Sequence, residues 1–334
     1  MPSARAYKPL MLHKSLIAEG AKKGNSMSEN LKAATPANRF TGLKEIKAPR
    51  RRSLTPGVSM KFSEYRVAPG CNYSSLKHMA TSPMHYKHAL EHPPDENPVM
   101  LIGRATHTAV FEPDRFQLEY AVWSASRRTN AYKAFSEECQ AQGRSVLTES
   151  EYEDVLAIRD SVRGIPAVAR LLEKGRAETS LFWRNPQTGI ECKGRLDWIA
   201  AEKAILDLKT TLSIDEGWFA KQAWKMRYFH QAAMYREGYA ESSSKGSILP
   251  FGIIAVERKP PHACRLFWLD TGSLELAHEE YVTWLEQIRS CTETGVWPGP
   301  EPVETELKAP GWVMGREDAI DFEGVEDGED LKAG

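Results

Sequence analysis

Asp207 and Lys209 sit two apart in the stretch Ala204-Ile205-Leu206-Asp207-Leu208-Lys209-Thr210-Thr211, downstream of Asp197 in Gly194-Arg195-Leu196-Asp197-Trp198-Ile199. Both stretches are short apolar runs of β-forming residues, and Ala200-Ala201-Glu202-Lys203 between them has the length of a hairpin connection. On a strand, side chains at i and i+2 share a face. Asp207 and Lys209 therefore point into one space, Ile205 continues their row, and Leu206 and Leu208 pack behind. Pairing the two strands brings Asp197 alongside, so two carboxylates and an ammonium converge. Hard oxygen donors of this kind suit Mg²⁺, with Mn²⁺ as the alternative, and such ions bridge carboxylates to phosphate oxygens. A lysine beside the ion can orient an attacking water or help to deprotonate it. The competing reading is a solvated strand edge with charges paired across the hairpin, the usual fate of an isolated Asp-x-Lys. Its place at the end of an apolar run, with an acid at hairpin distance, argues for the site.

The elements that must position these residues follow from periodicity. Val99, Ile102, Ala105, Thr106 and Ala109 recur at helical spacing from Pro98 onward, which puts Gly103 and His107 one turn apart on the adjacent face. The glycine permits close approach of another backbone or a ligand, and a lone histidine there is either a ligand or a hydrogen-bonding residue of core or surface. A short helix with a serine cap is expected from Ser74 and another over His85 to His92, with further helices over Thr129 to Gln142 and Thr148 to Glu173, the last broken at Gly164-Ile165-Pro166. Ala177 to Trp183, Ile190 to Ile199 and the Asp207 strand form a meander. Glu178 on its first strand is either part of the acidic site or paired with Lys193 or Arg195. A helix from Ile214 to Lys225 carries Trp218, Phe219 and Trp224, which read as core before base-stacking residues. The next, Arg227 to Glu241, sets Gln231 and Tyr235 on one face at i and i+4. Phe251 to Glu257 and Ala263 to Leu269 are expected as strands covering the sheet, and Ser273 to Thr294 as a closing helix.

Taken together, Gly103-Arg104-Ala105-Thr106-His107, the Asp197 and Asp207-Leu208-Lys209 strands, and Gln231-Ala232-Ala233-Met234-Tyr235 resemble, in order and separation, the RecB-like group of the PD-(D/E)XK nuclease superfamily. Ser74-Ser75-Leu76, Glu112-Pro113-Asp114-Arg115-Phe116 and Gly295-Val296-Trp297-Pro298-Gly299 narrow the likeness to RecE-like exonucleases of the exodeoxyribonuclease VIII type, often phage-borne, over roughly residues 70 to 300. The resemblance implies an α/β fold with a restriction-endonuclease-like core, a central mixed sheet with an antiparallel meander flanked by helices. It implies catalytic roles for Asp197, Asp207, Lys209, Gln231 and Tyr235, and a metal held by Asp197, Asp207 and the Leu208 carbonyl, aided by His107 and Glu178. Gly103, Arg104 and Thr210 become DNA contacts. The implied activity is Mg²⁺-dependent 5′-to-3′ digestion of double-stranded DNA ends, leaving 3′ tails for phage-type recombination and repair. A ring-like homo-oligomer and a RecT-like single-strand-annealing partner belong to the same implication. Another nuclease of the superfamily, single-strand-specific or nicking, and a non-catalytic DNA-binding protein are the alternatives. Two features depart from relatives: Cys71, Cys139, Cys192, Cys264 and Cys291 are too scattered for the iron–sulfur cluster some of them carry, and Pro300 stands where an aromatic is expected.

Composition fits this frame. The chain has 334 residues, 41% hydrophobic, with 44 basic against 45 acidic residues, enough for one substantial domain. The scattered cysteines argue for reduced thiols, and with no signal peptide or apolar membrane span the expected location is cytoplasmic. No GxxxxGK[ST] loop is present, so no ATP is expected. The near-zero net charge conceals two tails. Residues 1–58 are basic, with Arg50, Arg51 and Arg52 as candidate phosphate contacts, and are expected to be disordered, either recruiting DNA or serving as a passive extension. An exonuclease domain is expected over 59–300, and 301–334 as an acidic, disordered tail that repels DNA.

Overall fold

In the computed structural model the described residues are 57–93, 98–243, 246–301, 303–304 and 306–307. Arg50, Arg51 and Arg52, and the acidic residues from Glu317 onward, lie outside them. The described chain opens with strand β1 (Val58–Ser59) and helix α1 (Phe62–Val67), then α2 (Tyr73–Leu76), a 3₁₀ turn at Lys77–Ala80, α3 (Pro83–Glu91), α4 (Pro98–Phe111) and α5 (Pro113–Glu119). β2 (Tyr120–Trp123), α6 (Asn130–Ala141), β3 (Ser145–Thr148), α7 (Glu149–Gly164) and α8 (Pro166–Leu172) follow. β4 (Arg176–Arg184), β5 (Glu191–Ala200) and β6 (Ala204–Thr211) are the expected meander, and α9 (Glu216–Lys225), α10 (Tyr228–Ser242), β7 (Phe251–Glu257), β8 (Cys264–Trp268) and α11 (Thr271–Thr294) complete the domain.

The main sheet runs β1-β4-β5-β6-β7-β8, antiparallel throughout except for β6 and β7. Parallel neighbours need a long crossover, here α9 and α10. Residues 251–257 and 264–268 therefore extend the sheet, where sequence reasoning had them cover it. A second departure is the parallel pair β2 and β3, joined through α6. A third is the cap of α2: Asn72, not Ser74, accepts the Ser75 N–H at 2.9 Å, and Ser74 Oγ donates to the same Asn72 oxygen.

Alternation along the strands builds two cores. Ile205 and Ile253 face α10 and α11, packing with Ala232, Met234, Tyr281 and Leu285. Leu206, Leu208, Ile254 and Val256 face the other way, against Val110 and Phe111 of α4, Ile158 and Val162 of α7, and Val168 of α8. Helices thus cover both faces. The β5–β6 connection, three residues long, is tight because Ala201 (φ 44°) and Glu202 (φ 59°) both take left-handed backbone, which lets the Lys203 N–H donate back to the Ala200 carbonyl at 2.8 Å. Glu202 is held there by Arg176 at 2.9 Å and by the Tyr239 hydroxyl. Among the described residues no helix is long and apolar enough to cross a membrane.

Candidate active site

The alternation that builds the cores fails at one place. On β5, Leu196 and Ile199 both belong to the α10 side while Trp198 and Ala200 belong to the other, so the phase flips at Asp197. On β4, Leu181 faces α10 and Ala177 the opposite side, so the phase flips there too. The ladder pairs Ala177 with Trp198 and Thr179 with Leu196 but skips Glu178 and Asp197 between them. Glu178 has φ +46°, a left-handed conformation costly for a residue with a Cβ and typical of functional sites. Both acids are thereby turned out of the regular pleat toward the same space. β5 and β6 pair only from Trp198–Leu206 to Ala200–Ala204, so the strands part just beyond, where Asp197 and Asp207 stand.

His107 enters from α4. Arg163 of α7 fixes the last turn of that helix by donating twice to the Val110 carbonyl, at 2.9 and 2.7 Å. The imidazole Nδ1 lies 3.2 Å from Asp197 Oδ2, and the other claim on that oxygen is the Leu208 N–H at 2.9 Å. Within a strand the N–H and C=O of one residue face the same side, so the Leu208 carbonyl is also directed into the gap between β5 and β6. His107, Glu178 and Asp197 each offer a donor atom within 4.8 Å of the others, the one group of three or more such donors among the described residues. Ligands of an octahedral Mg²⁺ at 2.0–2.1 Å stand no more than about 4.2 Å apart, slightly less than the 4.8 Å within which this set lies. Two carboxylates and an imidazole suit Mg²⁺ or Mn²⁺.

Asp207, expected as a ligand, is outside that tight group. Only 3% exposed, it points one oxygen at Lys209 Nζ, 2.8 Å away. Lys209 in turn sits over the Tyr228 ring, 4.9 Å from its centroid. Electrostatics show how crowded the acids are. Burial and the nearby Asp197 charge push Asp207 up to about 6 in spite of Lys209, and burial with Asp197 also raises Glu178. Burial alone would lower His107, but Asp197, with Glu178 and Asp207 behind it, lifts it to about 9. Burial would likewise raise Asp197, yet His107, Lys209 and the Leu208 N–H hold it low. Lys209 stays firmly an ammonium: Asp207 and Asp197 outweigh its desolvation. A cluster in which carboxylates are raised by one another is a place where a cation is stabilised.

The remaining expected residues distribute as follows. Tyr235 is buried, its ring over Gly194, where a Cβ would stand 3.0 Å from Tyr235 Cε1; Gln231 hydrogen-bonds its hydroxyl, and the Asp207 and Asp197 charges reach it. Thr210 follows Lys209 on β6, half-buried. Gly103 and Arg104 lie one turn before His107, and the space beside Gly103 is open: among the described residues nothing beyond its chain neighbours and its own helix backbone lies within 4 Å of a built Cβ. Of the two partners weighed for Glu178, Arg195 is the one: its Nε donates to Glu178 at 2.5 Å, while another guanidinium nitrogen reaches the Met60 carbonyl and Ser180 Oγ. Lys193 is used elsewhere. Its ammonium, 3% exposed as a residue, donates to the main-chain oxygens of Tyr65, Arg66 and Ala68 at the end of α1. Sequence reasoning missed Lys77, whose ammonium is lowered by burial and by the charge of Lys209 nearby, and Tyr228, the seat of Lys209. Only the proximity of Tyr228 to Gln231 in the chain could have pointed to the latter; nothing marks Lys77.

Residues 72–305 match a family described as a PDDEXK-like domain of unknown function (DUF3799). The chain belongs to this family. The phase flip, the Asp-x-Lys strand and the family therefore agree, and they place the chain among the PD-(D/E)XK nucleases, which use divalent metal ions. A crystal structure of a candidate exonuclease from Eubacterium rectale is similar over 79% of this chain and 100% of its own, with a TM-score of 0.53 and 17% identity, a likeness of fold. An alkaline exonuclease (LHK-Exo) from Laribacter hongkongensis aligns over 57% of this chain and 91% of its own at 12% identity, but its TM-score of 0.23 supports no argument. No curated protein matches the chain.

Proposed function

We propose that the protein is a Mg²⁺-dependent exonuclease acting 5′ to 3′ on double-stranded DNA ends and leaving 3′ single-stranded tails for phage-type recombination. The observation that carries the nuclease reading is the convergence of His107, Glu178 and Asp197 donors within 4.8 Å, beside the Asp207–Lys209 pair at 2.8 Å. The polarity and the need for an end rest on the sequence likeness of the flanking motifs. Asp197, Glu178 and His107 would hold the metal, with Asp207 and the Leu208 carbonyl beside them. When bound, the ion supplies Lewis-acid stabilisation of the charge developing on the phosphoryl group and the leaving oxygen.

The chain's own residues do the rest. Asp207 and the Tyr228 ring fix the Lys209 ammonium from two sides, so its remaining N–H bonds can orient the attacking water and hold a non-bridging phosphate oxygen. Gln231 keeps the Tyr235 hydroxyl aimed at the acids, and the open surface at Gly103 leaves room for the duplex backbone to approach His107. Arg104 and Thr210 flank this path as DNA contacts. In this reading, residues 59–300 form the exonuclease domain, the segment with Arg50, Arg51 and Arg52 recruits DNA, and subunits assemble into a ring that cooperates with a RecT-like annealing protein.

The test is digestion of linear duplex DNA labelled separately at its 5′ and 3′ ends, beside covalently closed plasmid, with Mg²⁺ and with EDTA. Early release of the 5′ label from linear DNA alone, in Mg²⁺ alone, is the expected result. Cutting of closed plasmid, or early loss of the 3′ label, rejects the substrate assignment; no cleavage of any DNA rejects the nuclease.

A further inference from the structure

A groove of about 470 Å³ opens between α8, the β5–β6 turn and the end of edge strand β8. Its floor is apolar, including Leu171 and Leu266, and Arg170, Lys174 and Lys203 stand on its rim with Trp268. All three cations are exposed, and none makes a salt bridge among the described residues. Glu173 is the only acid lining the groove, so the local charge is strongly positive although the chain as a whole is near neutral.

Trp268 is 50% exposed yet is not loose. Its ring rests on Gly252, where a Cβ would stand 3.1 Å from the indole Cζ3. The inner edge of the indole is thus seated on glycine while the rest meets solvent. Arg170 and Lys174 are one helical turn apart, since Glu173 at the end of α8 keeps helical backbone, and Lys203 faces them from the hairpin. An exposed, seated aromatic ring flanked by unpaired cations is the composition of a single-strand nucleic-acid platform, where a base stacks and its neighbours' phosphates are held.

The groove also lies on the right face. His107 contacts Phe111 edge-on at 6.1 Å, Phe111 stacks on Trp198 at 5.9 Å, and Trp198 donates to the Leu171 carbonyl at 2.9 Å beside the groove. Along the strands, Ala200 and Lys203 stand three and four residues from Asp197 and Asp207, a distance of roughly 10–13 Å at 3.3 Å per residue. At 3.4 Å per nucleotide that is about three to four nucleotides of one strand.

We infer that this groove is a second nucleic-acid contact that takes single-stranded DNA a few nucleotides from the acidic centre, with one base on Trp268 and flanking phosphates on Arg170, Lys174 and Lys203. It rests on the proposed nuclease reading only for the identity of the strand, and the two can be tested apart.

The experiment measures the affinity of full-length protein for fluorescein-labelled oligo(dT) by anisotropy, in EDTA, across a salt series. Trp268→Ala should weaken binding about tenfold, and Trp268→Phe should restore most of it. The pair Lys174→Glu and Lys203→Glu should reduce the slope of log affinity against log salt by about 1.4, from roughly 0.7 per single-strand phosphate contact. Each variant is also assayed for cleavage of linear duplex and for its mass by sedimentation. Unchanged affinity and slope in folded variants overturns the inference, even if the enzyme cuts DNA. Loss of an oligomer on Trp268→Ala with unchanged oligo(dT) affinity overturns it in favour of a protein interface. Trp268-dependent binding by a protein that cleaves nothing supports it while removing the nuclease.

Discussion

Glu237 on one side of the sheet and the acids of the candidate site meet opposite fates under the same physics. Glu237 on α10 accepts hydrogen bonds from Trp183 Nε1 (3.0 Å), Asn185 Nδ2 (2.9 Å), His278 Nε2 (3.1 Å) and the Tyr281 hydroxyl (2.5 Å). Burial alone would raise it, but those donations from His278, Tyr281, Asn185 and Trp183 hold it below the usual carboxylate range. Its lone pairs are satisfied and it has nothing left to offer. Asp207 and Glu178 are raised, each by burial and by the Asp197 charge, even though Lys209 stands against the one and Arg195 against the other. The comparison separates an acid that ties α10 to β4, the turn after it and α11 from acids crowded against one another, and only the second kind invites a metal or a phosphate ester.

The sharpest way to break this comparison is to remove one acid from each group. Asp207→Ala should lower single-turnover cleavage by at least about 10³-fold, some 4 kcal/mol of barrier, while the thermal midpoint moves little. Wild-type turnover at saturating Mg²⁺ would sink the assignment. Glu237→Ala should do the reverse: stranding the buried donors of Trp183, Asn185 and Tyr281 costs about 3 kcal/mol in urea unfolding, with cleavage by the folded fraction unchanged. Equal stability of the two proteins would show that Glu237 is not a structural node. Lys209→Ala is expected to slow the chemical step about 100-fold while calcium still binds in calorimetry; loss of calcium binding would reassign Lys209 to the metal site.

The smallest effect is the pH dependence of stability. Because the folded value of Glu237 is depressed, its contribution is complete above about 4.3, the unfolded value, and is lost as pH falls through the folded one. His230, wholly buried and stacked on Trp284, is also lowered, by burial, so the unfolded chain binds more protons and stability falls as pH drops below about 6.5. Asp207 and Glu178, raised in the fold, act in the opposite sense over the same range, so the test is a difference between two proteins. Below about pH 4.3 the thermal midpoint of Glu237→Gln should fall less with acid than that of the parent, and parallel curves would contradict the depressed carboxyl.

Much of this was legible in the chain. Ile205, Leu206 and Leu208 alternate cleanly, so the row that ends in Asp207 and Lys209 could be drawn before any coordinates, and the lengths of the apolar runs set β7 and α11 within a few residues. The placement of Gln231 and Tyr235 on one face followed from helical spacing alone. The phase flip was not legible, because it is a joint property of β4 and β5 and no local preference favours Glu178 at φ +46°. Nor was the position of Asp207 against Lys209, outside the tight group of His107, Glu178 and Asp197, since that depends on where two strands part. β2 and β3, of four residues each, carry too little alternation to stand out from loops.

Lys193 sets a limit on how the molecule can be cut. Its ammonium closes on three carbonyls between Tyr65 and Ala68, and two residues on, Arg195 reaches back to the Met60 carbonyl while gripping Glu178. The matched family region begins at residue 72, so trimming to that boundary would look harmless. It would instead strip a lysine inside the protein of every acceptor it has and release one of the ties on the arginine that aims a site carboxylate. Residues 60–68 are in effect a buttress, and an expression fragment that starts after them should be both less stable and slower at the site.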